Sequence, residues 1–224
     1  MQLQAFNNDE TFRQQMVEAA VAHRLADEFI AGTYVDHGRS TFRGCSVGCS
    51  LYDVQVLRGY PRLADYGDHA LLARELGLPQ FLVRLQDAIF EGLPETERYQ
   101  WTERLYRAIP VGADLVPTLP KFLLRVLDDL PETDRADVTN AVEGVRVPLR
   151  EWIATGGVDP DAAAGAAGAA DAAYAAAYAA AAAAAAAAYA AAEAAAAAGA
   201  HAAAEAAAAA WVKISDHLIE AIQL

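Results

Sequence analysis

Two cysteines four residues apart, Cys45 and Cys49, sit in a Gly-rich stretch with His23, His37 and His69 nearby in sequence. Thiolate and imidazole are the soft and borderline ligands that zinc prefers. The C-x₃-C spacing differs from the usual C-x₂-C knuckle, and no third cysteine exists for an iron–sulfur cluster. Three accounts stay open: two small residues packed in a loop, a metal site drawing on Cys45, Cys49, His23 and His69, or a redox pair. A disulfide between Cys45 and Cys49 requires that this stretch not be a regular helix.

Carboxylates supply the other candidates. On a helix, His23 and Asp27 lie one turn apart, as do Arg24 and Glu28, and a His–Asp couple can orient an imidazole for general base work. The plainer account is a satisfied core histidine beside a helix-face ion pair. Asp87 and Glu91 share a helix face four apart; such a pair can act as acid and base or hold a divalent cation, and Glu91 before Gly92 can equally accept from loop amides. The catalytic candidates are therefore His23, Asp27 and Glu91. Asp114 after Gly112 reads as a turn residue, and His201 and Glu205 make an i,i+4 pair. No phosphate-cradling glycine loop and no serine nucleophile elbow is present. No catalytic constellation is complete, and the sequence leans away from an enzyme.

These residues have to be positioned by helices. No stretch reads as a strand pair, and the expected class is all-α, a multi-helix bundle with a long Ala-rich C-terminal helix or helix pair. Asn8 or Asp9 caps a first helix whose apolar stripes (Phe12, Met16, Ala19, Ala20, His23, Ile30 beside Val17, Val21, Leu25, Phe29) carry it to Gly32. Gly32 to Gly67 reads as a loop-rich insertion holding both cysteines, with Leu51–Leu57 a short strand or helical turn. Asp68 caps a helix over His69–Leu76 that Gly77 closes. Pro79 opens the next, ended by Gly92; Pro94 opens another, stopped by Pro110. A helix is expected over about 119–130, and Pro131 opens one kinked near Gly144 and Pro148. The expected organisation is a helical body over 1–157, with its Cys-containing loop at 32–67, and an Ala-rich region over 158–224.

Within Ala162–Ala210 only ten residues are not alanine. Alanine favours helix because it loses no side-chain entropy. The spacings of four and eleven place Tyr174, Tyr178 and Tyr189 in one stripe, the candidate partner-binding face. The run lacks the large apolar residues that drive insertion, so no membrane span is expected. Trp211, Ile214, Leu218, Ile219 and Ile222 give the last helix, from about Ala200 to Ile222, an apolar docking face.

The formal net charge is −13. That argues against nucleic acid, whose phosphates need a basic face, and against anionic membrane surfaces. Met1–Glu10 is polar, which leads to the expectation of a cytoplasmic protein with reduced thiols.

Four short stretches in order resemble a known pattern: Gly44–Cys45–Ser46–Val47–Gly48–Cys49, Glu75–Leu76–Gly77–Leu78–Pro79, Ile89–Phe90–Glu91–Gly92–Leu93, and Ala108–Ile109–Pro110–Val111–Gly112–Ala113–Asp114–Leu115. Together they look like an uncharacterised family of bacterial and phage proteins with an Ala/Tyr-rich C-terminal region, over roughly residues 20 to 115 and the tail. The family has no established activity, so the resemblance implies a shared fold and little about function. The chain departs from that pattern between Asp53 and Gly67, which looks inserted, and has Leu51–Tyr52 where a histidine is expected soon after the second cysteine. The leading expectation is a non-catalytic helical binding or accessory protein, of inhibitor or immunity type, that meets a protein partner or itself. The alternative is a Zn- or thiol-dependent protein using the Cys/His/Asp cluster; no cofactor is expected under the first reading.

Overall fold

The computed structural model describes residues 3–36, 42–130, 136–155 and 200–224. Among these the protein is all-α, with eight α-helices and no strand. They are α1 (Glu10–Leu25), α2 (Ser46–Arg58), α3 (His69–Leu76), α4 (Gln80–Gly92), α5 (Glu95–Ala108), α6 (Thr118–Asp128), α7 (Ala136–Thr155) and α8 (Ala200–Gln223). The chain divides into two compact units, one of Met1–Val116 with Ile222–Leu224 and one of Pro117–Ala221.

In the first unit α1 packs on α2 and α5, and α4 packs on α2, α3 and α5. Asp9 caps α1, its Oδ1 accepting from Phe12 N at 3.0 Å. Phe12, Met16, Val17, Ala20 and His23 form the buried face of that helix. Asp68 caps α3 in the same way, through Leu71 N at 2.9 Å. Pro79 and Pro94 stand just ahead of α4 and α5, where a missing N–H costs nothing.

The first helix ends at Leu25, short of Gly32, to which its apolar pattern points. Asp27 takes a left-handed φ of 54°, and Asp27 N bonds Arg24 O while Glu28 N bonds His23 O at 3.0 Å. That is a Schellman closure with Asp in the place glycine usually fills. Phe29 is still buried, but from a bridge to Gly44: Ile30 N donates to Gly44 O at 2.9 Å and Gly44 N to Glu28 O at 3.1 Å.

A second correction falls on the segment that reads as a loop. Cys45 is the N-cap of α2 and Cys49 lies in its first turn, so of the two readings of Leu51–Leu57 the helical one holds, as part of a longer helix. In sequence Gly48 has the character of a breaker. Its bare Cα is instead what lets the chain at Tyr34 cross the helix: a Cβ there would stand 1.8 Å from the Tyr34 carbonyl oxygen.

Gly112 explains a second short motif. It has φ +73°, and a Cβ on it would meet Asn8 Oδ1 at 2.4 Å. Its N–H donates to Ala5 O at 2.9 Å, and Ala5 N donates to Ala113 O at 3.1 Å. The Pro110–Asp114 turn therefore fastens the N-terminal segment, and Asp114 Oδ1 accepts from Val116 N at 3.0 Å.

In the second unit α6 packs on α7. Two acids end α6, where the helix dipole opposes them. Cations answer: Asp128 pairs with Arg146 at 3.1 Å, and Asp129 with Lys213 at 2.8 Å and with His217. Lys213 and His217 come from α8, as does Glu220, which meets Arg125 of α6 at 2.6 Å. α7 runs through Gly144 and Pro148 as one helix. Within the described residues no helix is long and apolar enough to cross a membrane.

Candidate metal centre

Asp87, on α4, is the hub of the one mixed cluster of potential metal ligands found among the described residues. Its Oδ1 accepts from Cys45 Sγ at 3.3 Å. Its Oδ2 accepts from the Tyr34 hydroxyl at 3.1 Å and lies 3.0 Å from His69 Nε2. One turn further along α4, Glu91 Oε2 accepts from Gly32 N at 2.8 Å. Ligand atoms of Cys45, Asp87 and Glu91 all lie within 4.8 Å of one another. Helices α2, α3 and α4 and one loop build this place: Cys45 caps α2, His69 opens α3, α4 carries both acids, and residues 32–34 cross above.

Glycines make the crossing possible. A Cβ on Gly44 would come within 2.2 Å of the Tyr34 carbonyl oxygen, and one on Gly67 within 2.8 Å of the Tyr34 ring. With Gly48, three glycines clear space around one tyrosine. Cys45 N donates to Thr33 O at 2.9 Å, and the amides of Gly48 and Val47 are directed at the Cys45 sulfur. The Tyr34 ring stands edge-on to the His69 imidazole, centroids 5.8 Å apart.

The electrostatics of the site disfavour added negative charge on Cys45, Tyr34 and Glu91. Burial, and then the Asp87 carboxylate, push the Cys45 thiol well up, against the two amides. Cys45 is therefore a protonated donor to Asp87. Burial and Asp87 likewise push the Tyr34 hydroxyl up to about 12. Burial raises the Glu91 carboxyl, opposed by the Gly32 amide and reinforced by Asp87. A divalent cation would reverse all three tendencies, since its charge favours each deprotonated form.

The remaining sequence candidates fall elsewhere. His23 is buried between two carboxylates, Nδ1 at 2.6 Å from Glu28 Oε2 and Nε2 at 2.9 Å from Asp53 Oδ1. Both ring nitrogens are thus engaged. The expected pairing of His23 with Asp27 does not form, because the helix ends before residue 27; Asp27 approaches the Tyr99 hydroxyl instead. Arg24 likewise pairs with Glu103 at 3.1 Å and not with Glu28. Cys49 is a free, buried thiol whose Sγ lies 3.5 Å from Gly44 O. Cys45 is also free, and the two share a helical turn, whose geometry disfavours a disulfide between them. His37, Tyr174, Tyr178 and Tyr189 and the His201 side chain lie outside the described residues.

Two features escape a reading of the sequence. Tyr34 sits in a stretch with no periodicity, and its only signal is the set of glycines that clear room for it. The second is a buried polar stack between α2, α4 and α5. Ser46 Oγ meets Thr102 Oγ1 at 2.7 Å and accepts from Gln86 Nε2 at 2.7 Å. Gln86 Nε2 also reaches the Tyr106 oxygen at 3.2 Å, and the Tyr106 hydroxyl donates to Ser50 at 2.6 Å. No protein-family model, curated protein or solved structure matches this chain.

Proposed function

We propose that this is a metal-binding helical protein whose centre, formed by Cys45, Asp87 and Glu91, takes a zinc-class divalent cation. The observation that carries the reading is the approach of ligand atoms from a thiol and two carboxyl groups to within 4.8 Å. Zinc bonds of about 2.0–2.3 Å put neighbouring ligands of a tetrahedron roughly 3.4–3.8 Å apart, so rotamer adjustment closes the set. The sulfur selects against calcium and magnesium, which prefer oxygen. Hydrogen bonds from His69 and Tyr34 to Asp87 are the partners that a ligating carboxylate ordinarily has.

The ligand charge indicates what the ion does. One thiolate and two carboxylates over-neutralise a divalent cation. Such a centre activates bound water less than one built from neutral imidazoles. The reading is therefore of a protein that holds its metal, consistent with a non-catalytic accessory role. Binding expels the Cys45 proton, so affinity rises with pH.

Cobalt(II) titration tests this. The expected result is one ion per chain, with a thiolate-to-cobalt charge-transfer band that Cys45→Ser abolishes and Cys49→Ser retains. Absence of stoichiometric cobalt and zinc binding by the intact chain would sink the reading.

A further inference from the structure

We propose that Tyr34 is a positioning residue of this centre: its hydroxyl holds Asp87 Oδ2, leaving Oδ1 turned toward the Cys45 sulfur as the ligating oxygen. The inference rests on the metal-binding reading above.

Three observations support it independently of one another. The hydroxyl donates to Oδ2 at 3.1 Å, while Oδ1 faces Cys45 at 3.3 Å. The two carboxylate oxygens are thus already assigned different partners. Second, the Tyr34 main chain lies against α2 so closely that Gly44 and Gly48 have no room for a Cβ, at 2.2 and 1.8 Å from its carbonyl oxygen. Contacts with main chain cannot be relieved by a rotamer change, so residue 34 is fixed relative to Cys45. Third, the ring is confined by Gly67, where a Cβ would be 2.8 Å away, and by the His69 imidazole. A tyrosine serving only to fill space needs no carboxylate acceptor at its hydroxyl. His69 Nε2 meets the same Oδ2 at 3.0 Å, so two groups from different elements converge on one oxygen. Three residues of the Gly-Cys-x-x-Gly-Cys motif then serve one centre: its first cysteine offers the sulfur, and its two glycines let the residue that aims the carboxylate approach.

Cobalt(II) affinity and absorption spectrum are measured for the whole chain, with apo-protein thermal midpoints alongside. Tyr34→Phe keeps the ring and loses only the hydroxyl. The expected result is about 10–100-fold weaker binding, the usual effect of removing a group that orients a ligand, with a shifted cobalt spectrum and little change in midpoint. Gly67→Ala displaces the ring; it is expected to weaken binding in the wild-type background and not in Tyr34→Ala, where there is no ring to displace. Wild-type affinity and spectrum in Tyr34→Phe would overturn the role of Tyr34 while leaving the metal centre intact. Failure of the unmodified chain to bind cobalt would overturn both, and the two failures are distinguished by that control.

Discussion

Replacing Gly48 by alanine sets two effects of opposite sign against each other. Gly48 lies inside α2, where alanine is ordinarily the better residue by about 1 kcal/mol. The new Cβ, however, would stand 1.8 Å from the Tyr34 carbonyl oxygen, 2.7 Å from its carbon and 3.2 Å from its Cα. All three are main-chain atoms, so residue 34 has to move bodily. Its neighbours are tied by Gly32 N to Glu91 at 2.8 Å and Cys45 N to Thr33 O at 2.9 Å, and its own hydroxyl by Asp87 at 3.1 Å. At about 1 kcal/mol for each bond lost or stretched, displacement costs roughly 3 kcal/mol. The net is about 2 kcal/mol of destabilisation, or a fall of about 4–8 °C in Tm for a chain of this size. Gly144 is the control. It too is inside a helix, α7, but a Cβ on it meets nothing within 4 Å. Gly144→Ala therefore keeps the propensity gain, up to about 1 kcal/mol of added stability. Calorimetry on both variants reads the comparison. Equal stabilisation by the two alanines would refute the close approach of Tyr34 to α2.

Two further substitutions probe the helix end that carries His23. Burial lowers the affinity of this imidazole for a proton, but the Asp53 and Glu28 carboxylates together raise it above its ordinary value, and burial raises Asp53 in the same sense. The native state thus binds protons more tightly than the unfolded chain. The stabilisation from His23 is complete below its unfolded pKa of about 6.5 and is lost as pH rises through the folded value. The difference in unfolding free energy between wild type and His23→Gln, measured by urea denaturation, should be largest near pH 6, about 3 kcal/mol for a broken buried pair, and should shrink as pH rises from there; a gap that widens with pH would contradict the assignment. Asp27→Gly removes a non-glycine residue from the left-handed region, where φ is 54°, and should raise Tm by about 2 °C for a gain of roughly 0.5–1 kcal/mol. A lower Tm would show that the Asp27 contact with Tyr99 outweighs the backbone strain.

The all-α class and most helix boundaries are legible because their signals are local. Asp9 and Asp68 cap the helices they precede, Gly77 closes α3, and Pro79 and Pro94 open α4 and α5. Glycine is the ambiguous letter. At 77 and 59 it ends a helix with a positive φ; at 48 it sits within one, because of a chain segment fourteen residues earlier. The site is legible in composition and not in assembly. Cys45, His69 and Glu91 are candidates, as is the Asp87–Glu91 face, yet nothing in the spacing says that Cys45 meets Asp87 across 42 positions or that His23 meets Asp53 across 30. Helical periodicity even misleads, pairing His23 with Asp27 because the apolar stripe runs on past the point where Asp27 turns the chain.

The polar stack supplies what periodicity lacks. α2 and α4 meet through the serines that adjoin the cysteines and the glutamine that adjoins the aspartate: Ser46 comes after Cys45, Ser50 after Cys49, and Gln86 precedes Asp87. Successive residues on a helix point about 100° apart, so Ser46 and Gln86 enter the stack while their neighbours Cys45 and Asp87 face the site; Cys49, beside Ser50, turns instead toward Gly44 O. An apolar seam can slip or rotate at modest cost, because dispersion has no direction. A buried hydrogen-bonded seam cannot, because rotation strands polar groups away from water at roughly 1–3 kcal/mol each. Gln86 Nε2 on Ser46 at 2.7 Å ties α4 to α2 directly, while Tyr106 on Ser50 at 2.6 Å and Trp101 Nε1 on the Gln86 main-chain carbonyl at 2.9 Å tie each of them to α5, and together these bonds fix the rotation of α2 against α4. That rotation is what brings the Cys45 sulfur to Asp87, so residues that never touch the candidate centre place its two helices before Tyr34 and His69 aim the carboxylate.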